Sequence, residues 1–296
     1  MTAADPPRGP IDPAGRADRQ DRAARALAAL LLAGVELARA GLHAVSTSEA
    51  QPEAVRESRA ALRRLRLLLR RFREWTPGAD AGWDQALQAA SRRLGAIRDL
   101  DLMARSLPRL QAQGAPWSPA FDAMLAEARD ARSALPEVPQ AQPLEAALRA
   151  IEAFARAVAG AAGGRVSRPP RRVLAVVLDR LRRRVRRGAA RALDCDDASL
   201  HRTRRRLREL RDLALIAAPR FERDAVHRYL RRVDAAHEAL GAWHDALQLA
   251  RRMDGAPDAD AGAAWIRRTT TARIPALREA GVRRLHRLVR TPPFWD

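Results

Sequence analysis

Residues 55–75 read VRESRAALRRLRLLLRRFREW. The arginines fall at Arg56, Arg59, Arg63, Arg66, Arg70 and Arg73, and this alternation of three and four collects them on one face of an α-helix. The stripe covers an arc of roughly 100° and about 25 Å of axis. Leu62, Leu65, Leu69 and Phe72 keep the same spacing, about 100° further round. The apolar stripe packs on a core, so the arginine face runs along the flank of the packed helices. Like charges at i, i+4 repel. Between Arg59 and Arg73 the arc holds no acid to relieve them. Such a face calls for an anion.

The helical period continues through most of the chain. Apolar spacing predicts helices over about 21–46, 52–75, 80–112, 119–134, 143–161, 171–193, 198–218, 221–253 and 258–290. Pro and Gly clusters punctuate them at 76–78, 114–116, 136–143 and 163–170. No stretch alternates as a β-branched strand would. The class is all-α. Residues 1–20, rich in Pro, Gly, Asp and Arg, read as a mobile tail.

The chain repeats itself. Arg56, Arg59, Arg63 and Arg66 recur as His201, Arg204, Arg208 and Arg211, and Leu62 and Leu65 as Leu207 and Leu210. LGAIRDLDLMAR (94–105) recurs as LGAWHDALQLAR (240–251). The near-constant offset points to duplication of a half. We expect a first helical repeat over 21–162, a linker at 163–170 and a second repeat over 171–290, forming one domain. An approximate two-fold between them turns both arginine flanks towards one groove. Arg180, Arg184 and Arg187, on the helix that opens the second half, add to its basic lining.

Composition narrows the anion. The 296 residues carry +20, with 55 basic residues and 35 acids, and every basic residue is Arg because the chain contains no lysine. Arg suits bidentate gripping of phosphate oxygens, although GC-rich coding explains a lysine-free chain equally well. Aromatic content is 4% and there is no Asn, so stacking platforms and base-reading amides are scarce. No glycine-rich phosphate loop is present. A long strip of guanidiniums suits an extended phosphate polymer: inorganic polyphosphate first, with non-specific nucleic-acid binding possible but not preferred.

Other constellations carry less. The single cysteine, Cys195, is flanked by Asp194, Asp196 and Asp197, which raise a thiol pKa and argue against a nucleophile. A lone cysteine fits a reducing, cytoplasmic location. Residues 26–35, ALAALLLAGV, read as a buried helix, and no uninterrupted apolar run reaches membrane-spanning length. His237 and His244 are about 10.5 Å apart along a helix axis, too far to share a metal. No metal, cofactor or catalytic constellation is expected. Asp99 and Asp245, at equivalent positions of the two LGA blocks, are placed to pair with stripe arginines. His201 reads as a phosphate donor whose protonation strengthens binding below about pH 6.5.

VRESRAALRRLRLLLRRF and LHRTRRRLRELRDLAL, with the two LGA blocks in order, resemble the CHAD domain, the conserved-histidine α-helical domain, over roughly residues 21–290. The resemblance implies two four-helix repeats about a pseudo-two-fold. It also implies a basic surface that binds inorganic polyphosphate without catalysis, and association with polyphosphate granules. It places Arg59, Arg63 and Arg66 on the first basic helix and His201, Arg204, Arg208 and Arg211 on the second. Arg98, Asp99 and Asp101 fall in the helix-three block as supporting residues. Two positions depart from the pattern: Arg56 stands where the family has its first histidine, and Asp212 where an aromatic is expected. Some members carry a triphosphate-hydrolysing tunnel domain with an ExExK signature, which a lysine-free chain lacks.

Overall fold

The computed structural model describes residues 13–47, 49–75, 78–160, 171–256 and 260–296, with side-chain detail from Ala23 onward. Helices α1 (Pro13–Ala44), α2 (Pro52–Arg71), α3 (Ala81–Ala112), α4 (Pro119–Ser133) and α5 (Gln142–Gly160) precede residues 161–170. Helices α6 (Arg171–Ala190), α7 (Asp197–Ala217), α8 (Arg223–Met253) and α9 (Ala261–Val289) follow them. Among the described residues there is no strand, so the fold is all-α.

Two boundaries differ from expectation. Helix α1 is already formed at Pro13, the first described residue, rather than starting at 21, because the Ala- and Arg-rich stretch favours helix. The expected tail over 13–20 is therefore helical; residues 1–12 and the expected linker at 163–170 lie outside the described residues. Helix α2 stops at Arg71, and Arg73 sits in a 3₁₀ turn, Arg73–Trp75. Phe72 turns into the core there, fully buried, and carries the arginine stripe no further.

Local chemistry sets most helix starts. Asp80 caps α3 by accepting from Gly82 N at 2.7 Å, and Asp196 caps α7 by accepting from Ser199 N at 2.8 Å. Glu222 caps α8 by accepting from Asp224 N and Ala225 N at 2.7 and 2.6 Å. Asp260 serves two helices, accepting from Ala263 N of α9 at 2.8 Å and from Ala120 N of α4 at 3.2 Å.

Helix α1 packs on α2 and α5, and α2 on α3; α7 packs on α6 and α8, and α9 on α8 and α6. The two sets meet where α2 touches α7. A single core runs through both, taking Leu27, Leu65, Leu94 and Leu148 from the first set and Leu178, Leu207, Leu240 and Leu285 from the second. Residues 23–44 of α1 are long and apolar enough to cross a membrane by length and composition. In this fold Leu27, Leu31, Val35, Ala38 and Leu42 are buried in that core. Helix α4 stands outside it, with Phe121 and Met124 against Leu107, Met253 and Ile266 in a smaller cluster. The first half thus holds one helix more than the four implied by the family resemblance.

Candidate polyanion-binding site

The contact of α2 with α7 fixes the chemistry of the surface above it. Both helices bury their leucines in the core, which leaves their arginines to border one concavity. That groove, of about 860 Å³, lies between α2, α3, α6 and α7. Eleven arginines line it against four carboxylates, those of Asp84, Asp99, Glu209 and Asp212. This imbalance dominates its electrostatics.

Some of these arginines are held. Arg66 donates to both oxygens of Asp84, at 2.9 and 3.2 Å, and to Gln88 Oε1 at 2.9 Å. Arg63 Nε donates to Asp212 at 3.3 Å, and Arg71 pairs with Glu209, so both tie α2 to α7. Arg70, Arg92, Arg184, Arg205 and Arg206 line the groove with no ion-pair partner among the described residues. Five guanidiniums therefore hold unneutralised charge where an anion can reach them.

A second cavity of about 800 Å³ opens between α3, α7, α8 and α9. It shares Arg59, Asp99 and Arg208 with the first, so the two form adjoining compartments of one trough. Arg98, Arg204, His201, His244 and Asp245 also line it, beside the apolar Leu102, Met103 and Leu249. The His201 and His244 rings lie 4.4 Å apart between centroids, with Nδ1 to Nδ1 at 3.3 Å.

The sequence repeat is legible in this trough. Arg59 lies 3.8 Å from Asp99, and a Cβ added at Gly95 would sit 3.2 Å from its Nη2. Its counterpart Arg204 faces Asp245, and a Cβ at Gly241 would lie 3.8 Å from its Nη2. Each LGA glycine thus gives a guanidinium room to lie against the helix backbone, more tightly in the first half. The Nε atoms of both arginines are buried without a protein hydrogen-bond partner.

Crowding shifts the titrations. Burial holds Arg208 down to about 9, helped by the like charges of Arg63, Arg204 and Arg59 and opposed by Asp212. Burial likewise holds Arg59 down to about 10, with Asp99 opposing. Burial and then neighbouring arginines push His237 and His244 each down to about 3, and His201 falls below its ordinary value for the same reasons. Burial pushes the Asp245 carboxyl up, against the pull of Arg204.

Not every residue singled out from the sequence comes to the trough. Arg59, Arg63, Arg66, Arg70, Arg184 and Arg208 line the first compartment; His201, Arg204, Arg98 and Asp245 line the second. Arg56 is exposed one turn into α2 and pairs with Glu53, outside both. Arg180 pairs with Glu74 at 3.0 Å, and Arg187, one turn beyond Arg184, also lines neither compartment. Arg211 is drawn away to Asp234. Asp101 is buried and accepts from Arg132 of α4 at 2.7 Å, so it anchors that helix rather than a stripe arginine. The expected set is corrected at these five positions: a carboxylate elsewhere claims three of the arginines, Arg187 lines neither compartment, and Asp101 is claimed by Arg132.

Sequence reasoning missed Arg71, Arg92, Arg202, Arg205 and Arg206, which widen the lining beyond one stripe. It also missed that Asp212 is buried and holds Arg63. The signal was present, because its repeat counterpart is the buried apolar Leu67. Among the described residues no group of three or more His, Cys, Asp or Glu side chains could hold a metal ion.

Comparison with known proteins bears on the family. No curated protein matches the sequence. The fold is similar to the crystal structure of the CHAD domain from the plant Ricinus communis, with a TM-score of 0.76 at 22% identity. That likeness covers 92% of this chain and 93% of the other. The family model for the CHAD domain matches residues 22–254, from α1 to the end of α8. With both signature helices and both LGA blocks inside that match, the chain belongs to the CHAD domain family.

Proposed function

We propose that the chain binds inorganic polyphosphate along the α2/α7 trough and does not turn it over. The observation that carries this reading is the groove lining, eleven arginines against four carboxylates. Guanidiniums offer charge-assisted hydrogen bonds to phosphate oxygens and keep their charge near neutrality. A chain of phosphates presents such oxygens along its whole length. Nucleic acid presents bases as well, and the lining contains no Trp, Tyr or Phe on which to stack them. Binding is therefore indifferent to any sequence and falls steeply with salt as counterions are released.

Competition tests the reading. Long polyphosphate is expected to displace labelled duplex DNA at equal phosphate concentration, and the reverse result sinks the proposal in favour of a nucleic-acid binder. Release of phosphate or shortening of the chain on incubation with a divalent metal would instead make the protein an enzyme.

Proton linkage gives an independent check. His201, His237 and His244 are held neutral by burial and by the arginines beside them. A bound polyanion offsets that positive field at His201, which lines the second compartment, and raises its pKa above that of the free protein; His237 and His244, at about 3, stay neutral over this range. Complex formation therefore takes up protons, and affinity rises as pH falls from 7.5 to 5.5, by roughly threefold to tenfold. Calorimetry in two buffers of different ionisation enthalpy counts those protons. Flat affinity with no proton uptake would refute this role for His201.

A further inference from the structure

A second arginine-lined groove lies on α8 and α9. Arg228, Arg231 and Arg232 of α8, Arg287 of α9 and Arg290 at the C-terminal cap of α9 border a cavity of about 820 Å³, completed by Thr291 and Pro292. It shares no lining residue with either compartment of the trough. All five arginines are exposed, and none has an ion-pair partner among the described residues. Most acids near them in sequence are engaged: Glu222 accepts from the backbone at the start of α8, Asp234 holds Arg211, and Glu279 pairs with Arg283, which leaves the exposed Asp224 as one carboxylate close to Arg228 against five arginines.

The internal repeat separates this cluster from anything the fold requires. At the offset of the LGA blocks, Arg228, Arg231 and Arg232 correspond to Gly82, Gln85 and Ala86 of α3. The same helix position is built in the first half without a single cation, so packing does not demand arginine there. Three guanidiniums at i, i+3 and i+4 repel one another, and two more face them from the end of α9.

We propose that this groove is a second, weaker polyphosphate site, so that one protein engages two chain segments. The inference rests on the reading of the trough, extended to another surface. Its lining contains no aromatic or amide side chain to meet a base. The exposed large apolar residues, Leu37, Leu102, Trp117, Val176 and Leu193, all lie elsewhere, so nothing at the patch enters a bilayer. An anion made of phosphate oxygens alone is what remains. Two separate sites let a long chain bridge neighbouring proteins, and this multivalency condenses chain and protein together.

The test uses the full chain and polyphosphate in two lengths. Calorimetry with a polyphosphate too short to reach both grooves is expected to give two bound chains per protein, one tight and one weak. Arg228→Glu, Arg231→Glu and Arg287→Glu combined are expected to leave the tight site and abolish the weak one. With long polyphosphate, light scattering is expected to show large assemblies for the wild type and none for the triple variant. A single short chain per wild-type protein overturns the inference, as does a triple variant that still binds two. Preferential capture of duplex DNA or phosphatidylglycerol vesicles by the patch also overturns it. If charge reversal in the trough leaves tight binding intact while the triple variant loses it, the reading of the trough fails and the α8/α9 site stands.

Discussion

Replacing Arg70 and Arg208 together with Glu is expected to weaken polyphosphate binding by more than tenfold at moderate salt. Arg70 is exposed and unpaired in the first compartment, and Arg208 lines both compartments. Each reversal removes a phosphate contact and adds a repulsion, so the slope of log affinity against log salt should become shallower by about two. Folding is expected to survive, because a carboxylate at position 208 enters a field set by Arg59, Arg63 and Arg204. The comparison variant is Arg149→Glu with Arg156→Glu, on the exposed face of α5. It makes the same change in net charge and is expected to leave affinity within about twofold, since charges beyond a Debye length are screened. Equal losses in both variants would mean that overall charge, and not this trough, holds the ligand.

Arg208→Met is expected to stabilise the free protein while weakening binding. The Arg208 guanidinium is half-buried among three other arginines, and its pKa is held down to about 9, well below its ordinary value. A cation whose folded pKa is depressed binds protons more readily in the unfolded chain, so it destabilises the fold below about pH 9. That penalty fades as pH rises from there towards the unfolded value. Methionine fills similar space without the charge. Replacing buried ionic groups by apolar side chains of similar volume is neutral or stabilising by up to about 4 kcal/mol, and a gain in the middle of that range corresponds to several degrees in melting temperature for a chain of this length. Saturating polyphosphate should reverse the order, raising the wild-type melting temperature more than the variant's. A lower melting temperature for Arg208→Met without ligand would show that Arg208 supports the fold and is not held against it.

The fold was legible because its signals are local and repeated. The 3,4 spacing of apolar residues and the Pro and Gly breaks place the nine α-helices of the described residues, while α1 reaches back to Pro13 and the end of α2 moved by several residues. The end of α2 depends on Phe72 finding the core, and tertiary burial of this kind leaves no local trace. The site was legible as a stripe and illegible as a surface. Spacing put Arg59, Arg63 and Arg66 on one face, but it could not say that Glu53, Glu74 and Asp234 would claim Arg56, Arg180 and Arg211. Those pairs depend on side-chain reach and neighbouring elements. Nor could it find Arg205 and Arg206, which enter the lining through the placement of α7 beside α2.

The glycines of the LGA blocks have a consequence for binding thermodynamics. Gly95 lets the Arg59 guanidinium rest on the α3 backbone beside Asp99, and Gly241 faces Arg204 in the same way. A free arginine side chain loses about 2 kcal/mol of rotamer entropy when immobilised. In these two residues the freedom is already gone before any ligand arrives, so the ordering penalty falls on folding and not on association. A floor of held cations with a rim of unpaired ones, Arg70, Arg205 and Arg206, lets a flexible anion be captured at the edge and then settle without freezing every side chain it meets.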